Sequence, residues 1–600
     1  MERLLTLVLA GNWLILVSDI YLVTTPIERT WPKDKPVLFL GEWCRLYNRR
    51  SYWGTLEQQV ADYHWNDREK YKEDYRYLSD VHEVLLEEIK TQLNSIHNVD
   101  YSIRYWRILI GPWLIFFVQS LYDRWSMLNT AINKYNPDAC NILDRNIADF
   151  IPYNMVDFGG KATKDDWNEA IYSQLLKVFF SDKIKIKHIA IEENKTEHNY
   201  CAVHKSSLKS IVFNTLFGIT NHIYHNSEYF FIDSLMPRKL DLKIQFKLKQ
   251  FPKIWRHPTV PLVSPDMNKR NWNLNLPDEE FYNVLSYMIP RHIPLIHIEG
   301  YESLSSHLDT IHWPNSPKAI VTGNTFKHES TNMWIARKTE EGVPLIVRQH
   351  GGVYGICSFS AFEDHEISIA DYWLSWGWTI AKNDKVIPFG GYKHSGASRI
   401  NYDSRGGVLI VGVSTVRYSC EMLSVPIAGQ WLSYFDNQVK FVDSLPETIR
   451  THVTVRLMRI DHGVCQKARW MDSFDDISID EGNGPIKPLI ESSRIYISTY
   501  NATTFLESLS WNIPTIIFWD TRNNELNSNA DYDFNLLRSV GIFHDSPESA
   551  ARHLTRIWDN IPLWWDEKKV QDVRRDFCWK YNRTYKDSVG SFVSQIEALL

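Results

Sequence analysis

The segment Val347 to Gly355, VRQHGGVYG, closes an apolar run, GVPLIV, with an arginine, a glutamine, a histidine and two adjacent glycines. Glycine has no Cβ and tolerates positive φ, so Gly351 and Gly352 would let the backbone come close to a bound phosphate or sugar. Arg348 brings positive charge to the same strand end, and His350 can donate to a phosphate oxygen or move a proton. A plain strand cap followed by a turn uses the same residues. The segment alone leaves both readings open.

A second segment, SRIYISTYNATTFLESLSWNIPTIIFWD, reads as a strand ending at Ser498, a polar loop and a short helix, then a strand after Pro514. Thr499, Thr503 and Thr504 supply hydroxyls, and the helix start offers backbone N–H groups to an anion. Glu507 falls one turn beyond Thr503, where a carboxylate can hold the hydroxyls of a ribose. Ordinary capping of the helix accounts for the threonines and Glu507 equally well. A third strand, THVTVRLMRIDHG, delivers Arg456, whose planar fork suits phosphate or, alternatively, a salt bridge to Asp461 or another carboxylate.

In the first half, FLGEWCRLY ends a strand with Glu42, Cys44 and Arg45. A carboxylate there, Glu42, could take a hydroxyl proton, with pairing to Arg45 or Arg49 as the alternative. Arg45 stands beside Glu42, and His64 and Asp67 from DYHWNDRE are the second choice. No histidine neighbours Cys44 in sequence as a matched base, which argues against a cysteine nucleophile.

These residues need elements that hold them at one edge. From Lys318 onward, AIVTG, PLIVRQHGG, ADYWLSWG, GVLIVGVS, THVTVRL, SRIYIST and IPTIIFWD read as buried strands separated by helices. Such continuous Val/Ile/Leu strands predict a parallel sheet covered on both faces, hence a doubly wound α/β domain whose ligands sit at the carboxyl ends of its strands. Upstream, IYLVTT and PVLFLGEW predict strands, and Leu56 to Asn98 predicts helix, with Val81, Val84, Leu85, Ile89 and Leu93 on its buried stripe. Between 183 and 330, IKIKHIAI, YFFIDSL and LIHIEG read as short β pieces, and residues 257–280 as a long loop or lid. FDDISIDEG reads as a solvated acidic loop, and HWPNSPK as a domain boundary.

Six hundred residues exceed what one core usually supports, so at least two domains are expected. A formal charge of −6 without a long basic block argues against nucleic acid as a partner. Seven scattered cysteines without CxxC spacing indicate neither a zinc site nor a disulfide framework, and fit a reducing cytoplasm. Asn12, Ser18 and Asp19 interrupt the apolar N-terminal run, only Arg3 precedes it and no small-residue cleavage site ends it, so neither export nor insertion is expected. The run from Ile108 to Val118 is far short of the roughly 20 residues of a membrane span and predicts a buried helix.

The order of the strand ends, VTGN, RQHG, ADYWLSWG, FGGYK, VTVRL and YISTYNATTFLESLSWNIPTIIF, resembles the nucleotide-binding half of GT-B glycosyltransferases. The likeness is to bacterial surface-polysaccharide enzymes and to the CDP-glycerol polyol-phosphate transferases related to them. LVTTPIERTWPKDKPVLFLGEWCRLYNRR, YHWNDREKYKEDYRYL and RYWRILIGPWLIFFVQSLYDRW resemble the transferase family encoded in O-antigen and similar surface-carbohydrate loci. This resemblance runs from about Tyr21 to the C-terminus. It implies two Rossmann-like lobes with a helix-rich N-terminal insertion: residues 21–316 on the acceptor side, 317–570 binding the donor, and 571–600 crossing back, with 1–20 as an extension.

It further implies a glycosyltransferase that moves a sugar from a nucleotide-activated donor to a glycan or lipid-linked glycan. The enzyme would be cytoplasmic, at the inner membrane face, and need no metal or other cofactor. Catalytic roles then fall to Glu42 and His350, and donor binding to Arg348, Gly351, Gly352, Arg456, Thr503, Thr504 and Glu507. The chain lacks the His-Pro pair that enzymes using CMP-linked acidic sugars often place after the arginine strand; Met458, Arg459 and Asp461 stand there instead. A polyol-phosphate transferase and a non-catalytic scaffold of polysaccharide assembly remain the alternatives.

Overall fold

A computed structural model of the chain describes residues 19–190, 228–252, 255, 257–258, 262–311, 313–325, 327–391 and 400–600. Most of the N-terminal extension, Cys201, Thr259 to Pro261 of the long loop, His312 of HWPNSPK and Lys393 of FGGYK lie outside the described residues. The protein is mixed α/β, and among the described residues every strand pairing within the three sheets is parallel.

Two compact units divide the chain. The first draws its described residues from within Met1–Asn66, Leu121–Ile147 and Lys164–Lys195. It carries β1 (Tyr21–Val23), β2 (Val37–Phe39), β3 (Gln58–Val60), β4 (Ala139–Leu143) and β5 (Lys185–Ile189) in the order β3-β2-β1-β4-β5. Tyr21 to Val23 and Val37 to Phe39 are wholly buried, as expected for central strands covered on both faces.

The second unit holds the remaining two sheets. One consists of β6 (Tyr229–Phe231), β7 (Ala319–Thr322), β8 (Leu345–Arg348), β9 (Tyr372–Ser375) and β10 (Val386–Pro388), side by side in chain order. The other consists of β11 (Gly407–Val411), β12 (Val453–Arg456), β13 (Ser478–Asp480), β14 (Ser493–Ser498), β15 (Thr515–Phe518) and β16 (Phe543–His544). Its order, β13-β12-β11-β14-β15-β16, is the 3-2-1-4-5-6 order of a dinucleotide-binding sheet, with the reversal between β11 and β14.

The strands after Lys318 therefore do not form the single sheet expected from sequence. β7 to β10 pair with β6, which lies upstream of the expected boundary, because Tyr229 to Phe231 matches Ala319 to Val321 residue for residue. The boundary near 310–318 thus falls inside one sheet. Strand periodicity shows where strands are; it does not show which strand each one pairs with.

The C-terminal helix Ser588–Leu599 covers the β6 to β10 sheet. Phe592, Val593 and Ile596 pack with Phe231, Val321, Ile346, Leu374 and Phe389 in one buried cluster. Helices Arg68–His97, Ile103–Leu109 and Gly111–Tyr135 account for the helix-rich part of the first half. The first of them buries Leu78, Val81, Leu85, Ile89 and Leu93, while Val84 is exposed. Among the described residues, no helix is long and apolar enough to cross a membrane.

Three further expectations differ. LIHIEG forms a buried 3-10 turn at Leu295–His297 rather than a strand. The acidic loop 474–482 contains the edge strand β13, since Ile479 and Asp480 pair with Val455 and Arg456. In the loop 257–280, Arg270 is buried against Glu299 at 2.7 Å and donates to the carbonyls of Pro290 and Ile293, so that stretch is anchored.

Candidate active site

Within the second unit the end of β8 meets the segment after β14. The Gly352 amide donates to Thr503 Oγ1 across 3.1 Å. A Cβ built on Gly352 would lie 2.7 Å from Thr503 Cα and 2.8 Å from Ala502 O, so only glycine allows this approach. At Gly351 a Cβ would meet no atom within 4 Å. Gln349 fixes the loop between these strands: its Oε1 accepts from Trp376 N and Trp378 Nε1, and its Nε2 donates to Gly351 O.

His350 stands at the head of this loop. Its Nδ1 lies 3.3 Å from Glu366 Oε1, and its side chain is about one-third exposed while that of Glu366 is fully buried. Tyr354 OH lies 3.4 Å from the other ring nitrogen, Nε2. Burial opposes charge on the ring, but Glu366 more than offsets it, and the His350 pKa is raised above its ordinary value. Lys327 opposes the imidazolium and Asp233 favours it. Glu366 is buried, its Oε2 accepts from Trp373 Nε1 at 3.3 Å and its Oε1 faces the imidazole; burial raises its carboxyl and His350 opposes that rise.

The opposite wall is the reversal point of the β11 to β16 sheet. Val411 and Ser498 pair at the ends of β11 and β14. Thr499 Oγ1 donates to Val411 O, and Tyr434 OH lies 2.7 Å from the same hydroxyl. Helix Thr503–Ser510 then starts after Ala502, which has no side-chain oxygen with which to cap it. Thr503 and Thr504 are consequently its first residues rather than its cap, and Thr504 Oγ1 lies 3.2 Å from Tyr500 OH. Glu507 is buried one turn on. First-turn N–H groups have no intrahelical acceptor and favour an anion.

The loop after β11 adds Glu421. Burial raises its carboxyl to about 7, and Oε2 is a buried atom without a hydrogen-bond partner among the described residues. Burial first, then the charges of Glu366, Glu363 and Glu421, raise the Tyr354 phenol.

His350, Gly351, Gly352, Thr503, Thr504 and Glu507 thus belong to two strand ends that the fold brings together. Arg348 is occupied elsewhere: it is buried, donates to Ser234 O at 2.9 Å and lies over the Phe592 ring. Arg456 pairs with Asp480 at 2.7 Å, the salt-bridge alternative with a different carboxylate from Asp461. Asp461 instead accepts from the Cys465 and Gln466 amides at the start of a helix.

In the first unit, Arg45 grips the Glu42 carboxylate through Nε at 3.1 Å and Nη2 at 2.7 Å, the strand-end pairing that was the alternative to a base. Arg49 pairs with Glu28. His64 is buried with Nε2 3.2 Å from Asp123, which also accepts from Tyr63 OH and Arg124. Asp67, in the second unit, caps the helix Arg68–His97 by accepting from the Glu69 and Lys70 amides.

Sequence reasoning missed Gln349, Tyr354, Glu366 and Glu421. A signal existed for Glu366: AFEDHEISI puts Glu363, Asp364 and Glu366 on a helix between two buried strands, where a carboxylate needs a partner. Glu421 sits in an irregular loop and carries no such signal.

A model of the LIC12162 family transferase matches residues 20–596. The chain belongs to that family. No curated protein matches this transferase. Among solved structures it is similar to a spinosyn rhamnosyltransferase, SpnG, complexed with spinosyn aglycone (12% identity, 50% of this chain and 77% of that one, TM-score 0.29). It is likewise similar to the wall teichoic acid polymerase TagF (11%, 65% and 95%, TM-score 0.29). A third is WaaG, a glycosyltransferase involved in lipopolysaccharide biosynthesis (11%, 59% and 97%, TM-score 0.28).

Proposed function

We propose that this transferase is a GT-B-type glycosyltransferase that moves a sugar from a nucleotide-activated donor to a hydroxyl of a cell-surface glycan. The observation that carries the reading is the His350–Glu366 pair beside a helix start that the Gly352–Thr503 contact holds in place. The donor phosphates bind at the Thr503 helix start, where backbone N–H groups and the helix dipole meet negative charge. Glu507 serves the nucleoside sugar.

As the bond from the sugar carbon to the donor phosphate breaks, His350, kept protonated by Glu366, offsets the charge left on that phosphate. The acceptor oxygen bonds to the same carbon, and its proton passes to Glu421. A carboxyl near 7 is matched to that task, whereas the Glu42 carboxylate is bound by Arg45. Catalysis rests on positioning and fixed charge, with no covalent sugar on the protein.

The test is a thermal-shift screen of nucleotides followed by turnover of the donor that stabilises the protein. A ligand at 100 times its Kd stabilises by about 2.7 kcal/mol, readily seen as a rise in Tm. Sugar without phosphorus in the product supports glycosyl transfer. Phosphorus in the product means polyol-phosphate transfer, and the absence of any nucleotide-dependent shift means a scaffold.

A further inference from the structure

Beyond the dyad, the carboxyl ends of β6 and β7 gather Asp233, His257 and His328, and one donor atom from each lies within 4.8 Å of the others. Asp233 follows β6 with a φ of 48°, the left-handed region that costs a non-glycine residue energy and clusters at functional sites. Its Oδ2 accepts from Asn324 Nδ2 at 2.8 Å, which fixes the carboxylate. His257 Nε2 stands 3.7 Å from that oxygen, beyond hydrogen-bond range, while its Nδ1 is 2.9 Å from Thr331 Oγ1. The His328 ring stacks on that of His257 with centroids 3.5 Å apart.

Two imidazoles and a carboxylate this close can close on one ion once the His257 and His328 rings, stacked at 3.5 Å, splay apart. With zinc–nitrogen bonds of ~2.0 Å, tetrahedral donors lie about 3.3 Å apart; His257 Nε2 and Asp233 Oδ2 stand 3.7 Å apart, whereas a direct hydrogen bond would draw nitrogen and oxygen to about 3 Å or less. Thr331 holds His257 by its other ring nitrogen, as outer-shell partners of metal ligands do, and Asn324 fixes the Asp233 carboxylate through Oδ2. Two imidazoles and a carboxylate suit zinc and neighbouring transition ions, and three protein donors leave a position open to water or an anionic oxygen.

We infer that Asp233, His257 and His328 form a binding site for one divalent transition ion, with an open position at the same sheet edge as His350. The sequence predicted no metal, because its three donors come from separate segments with no motif spacing. Bound there, the ion would draw an anionic oxygen of a ligand to the ends of β6 and β7.

The experiment uses full-length protein stripped with a chelator and titrated with ZnCl2 by calorimetry, with CoCl2 as a spectroscopic probe. One equivalent should bind, and Co2+ should give the visible bands of a low-coordinate site. His257→Ala, His328→Ala and Asp233→Asn should each weaken Zn2+ by more than ~100-fold, and the milder Thr331→Val by ~10- to 100-fold. Unchanged metal-free Tm and circular dichroism separate lost ligation from lost folding. Wild-type protein that binds no Zn2+ would overturn the site, as would binding unaffected by the His257→Ala/His328→Ala pair. Equal weakening by His188→Ala, which removes an exposed histidine of the other unit, would also overturn it. The readout is metal binding alone, so it stands or falls separately from sugar transfer.

Discussion

The Gly352 amide and the Thr503 hydroxyl, 151 residues apart, meet at 3.1 Å and join the end of β8 to the helix that follows β14. The two glycines of the HGG segment consequently have different duties, although the sequence presents them as equivalent. Gly352 is fixed by packing against backbone, and Gly351 is held in place by Gln349 without crowding.

Gly352→Ala should therefore destabilise the protein by about 1–3 kcal/mol, since its Cβ meets backbone that must shift. Gly351→Ala should stay within about 0.5 kcal/mol of wild type. Denaturant unfolding of both variants checks this. Equal losses would remove the special role of Gly352.

His350→Ala should lower kcat by ~10- to 1000-fold and leave nucleotide affinity closer to wild type, the pattern of a contact that strengthens as charge develops. The raised pKa means that His350 is charged below its folded value, so this contribution to rate and stability is full below about 6.5 and lost as pH rises through the folded pKa. The groups acting on it are Glu366, Tyr354, Lys327 and Asp233. Glu366→Gln should move the alkaline fall of kcat to lower pH. A pH–rate profile that does not move would leave Glu366 with a packing role.

Glu421→Gln should abolish most transfer while donor binding persists, and the wild-type rate should rise with pH through about 7 as the carboxyl ionises. Its folded pKa lies above the unfolded value. Stability from this group is thus highest below the ordinary carboxyl range and falls until pH reaches about 7. Glu421→Gln should accordingly raise Tm more at pH 8 than at pH 5. Glu42→Gln is the companion measurement: a larger loss of transfer there than at Glu421 would return the base to Glu42.

Thr503→Ala/Thr504→Ala should weaken nucleotide binding in a calorimetric titration and cost only about 1 kcal/mol of stability for the lost Gly352 bond. Unchanged affinity would take the donor away from this helix start.

Phe592→Ala should cost about 3–5 kcal/mol, because Phe592 is fully buried in the cluster that covers the β6 to β10 sheet. A fragment beginning at Pro317 should fold poorly for a related reason: it lacks β6, the strand paired with β7. Soluble, cooperatively unfolding fragment would contradict this pairing.

Much of the architecture follows from local pattern. Continuous runs such as AIVT, LIVR and TIIF are long enough and apolar enough to be buried parallel strands, and they fall at β7, β8 and β15. The strand–loop–helix from Ser493 to Ser510 was legible for the same reason, as was helical character from Ile108 to Val118, although one helix ends there at Leu109 and the next begins at Gly111: hydrophobic period and turn residues are written along the chain. His350 and Thr503 were likewise visible, since residues that close a parallel strand or open the next helix sit at the ligand edge.

What only the tertiary structure decided is who meets whom. Pairing of β6 with β7, of Arg456 with Asp480 and of Arg348 with Ser234 depends on contacts between distant segments, and each of those arginines could have served an anion equally well by type and position. Glu366 beside His350, and the assembly of Asp233, His257 and His328, arise because a helix and loops from separate parts of the chain meet the strand ends of one sheet. Periodicity and spacing describe neighbours within a few residues. Side-chain chemistry at this site is set by burial and by partners that the chain supplies from far away.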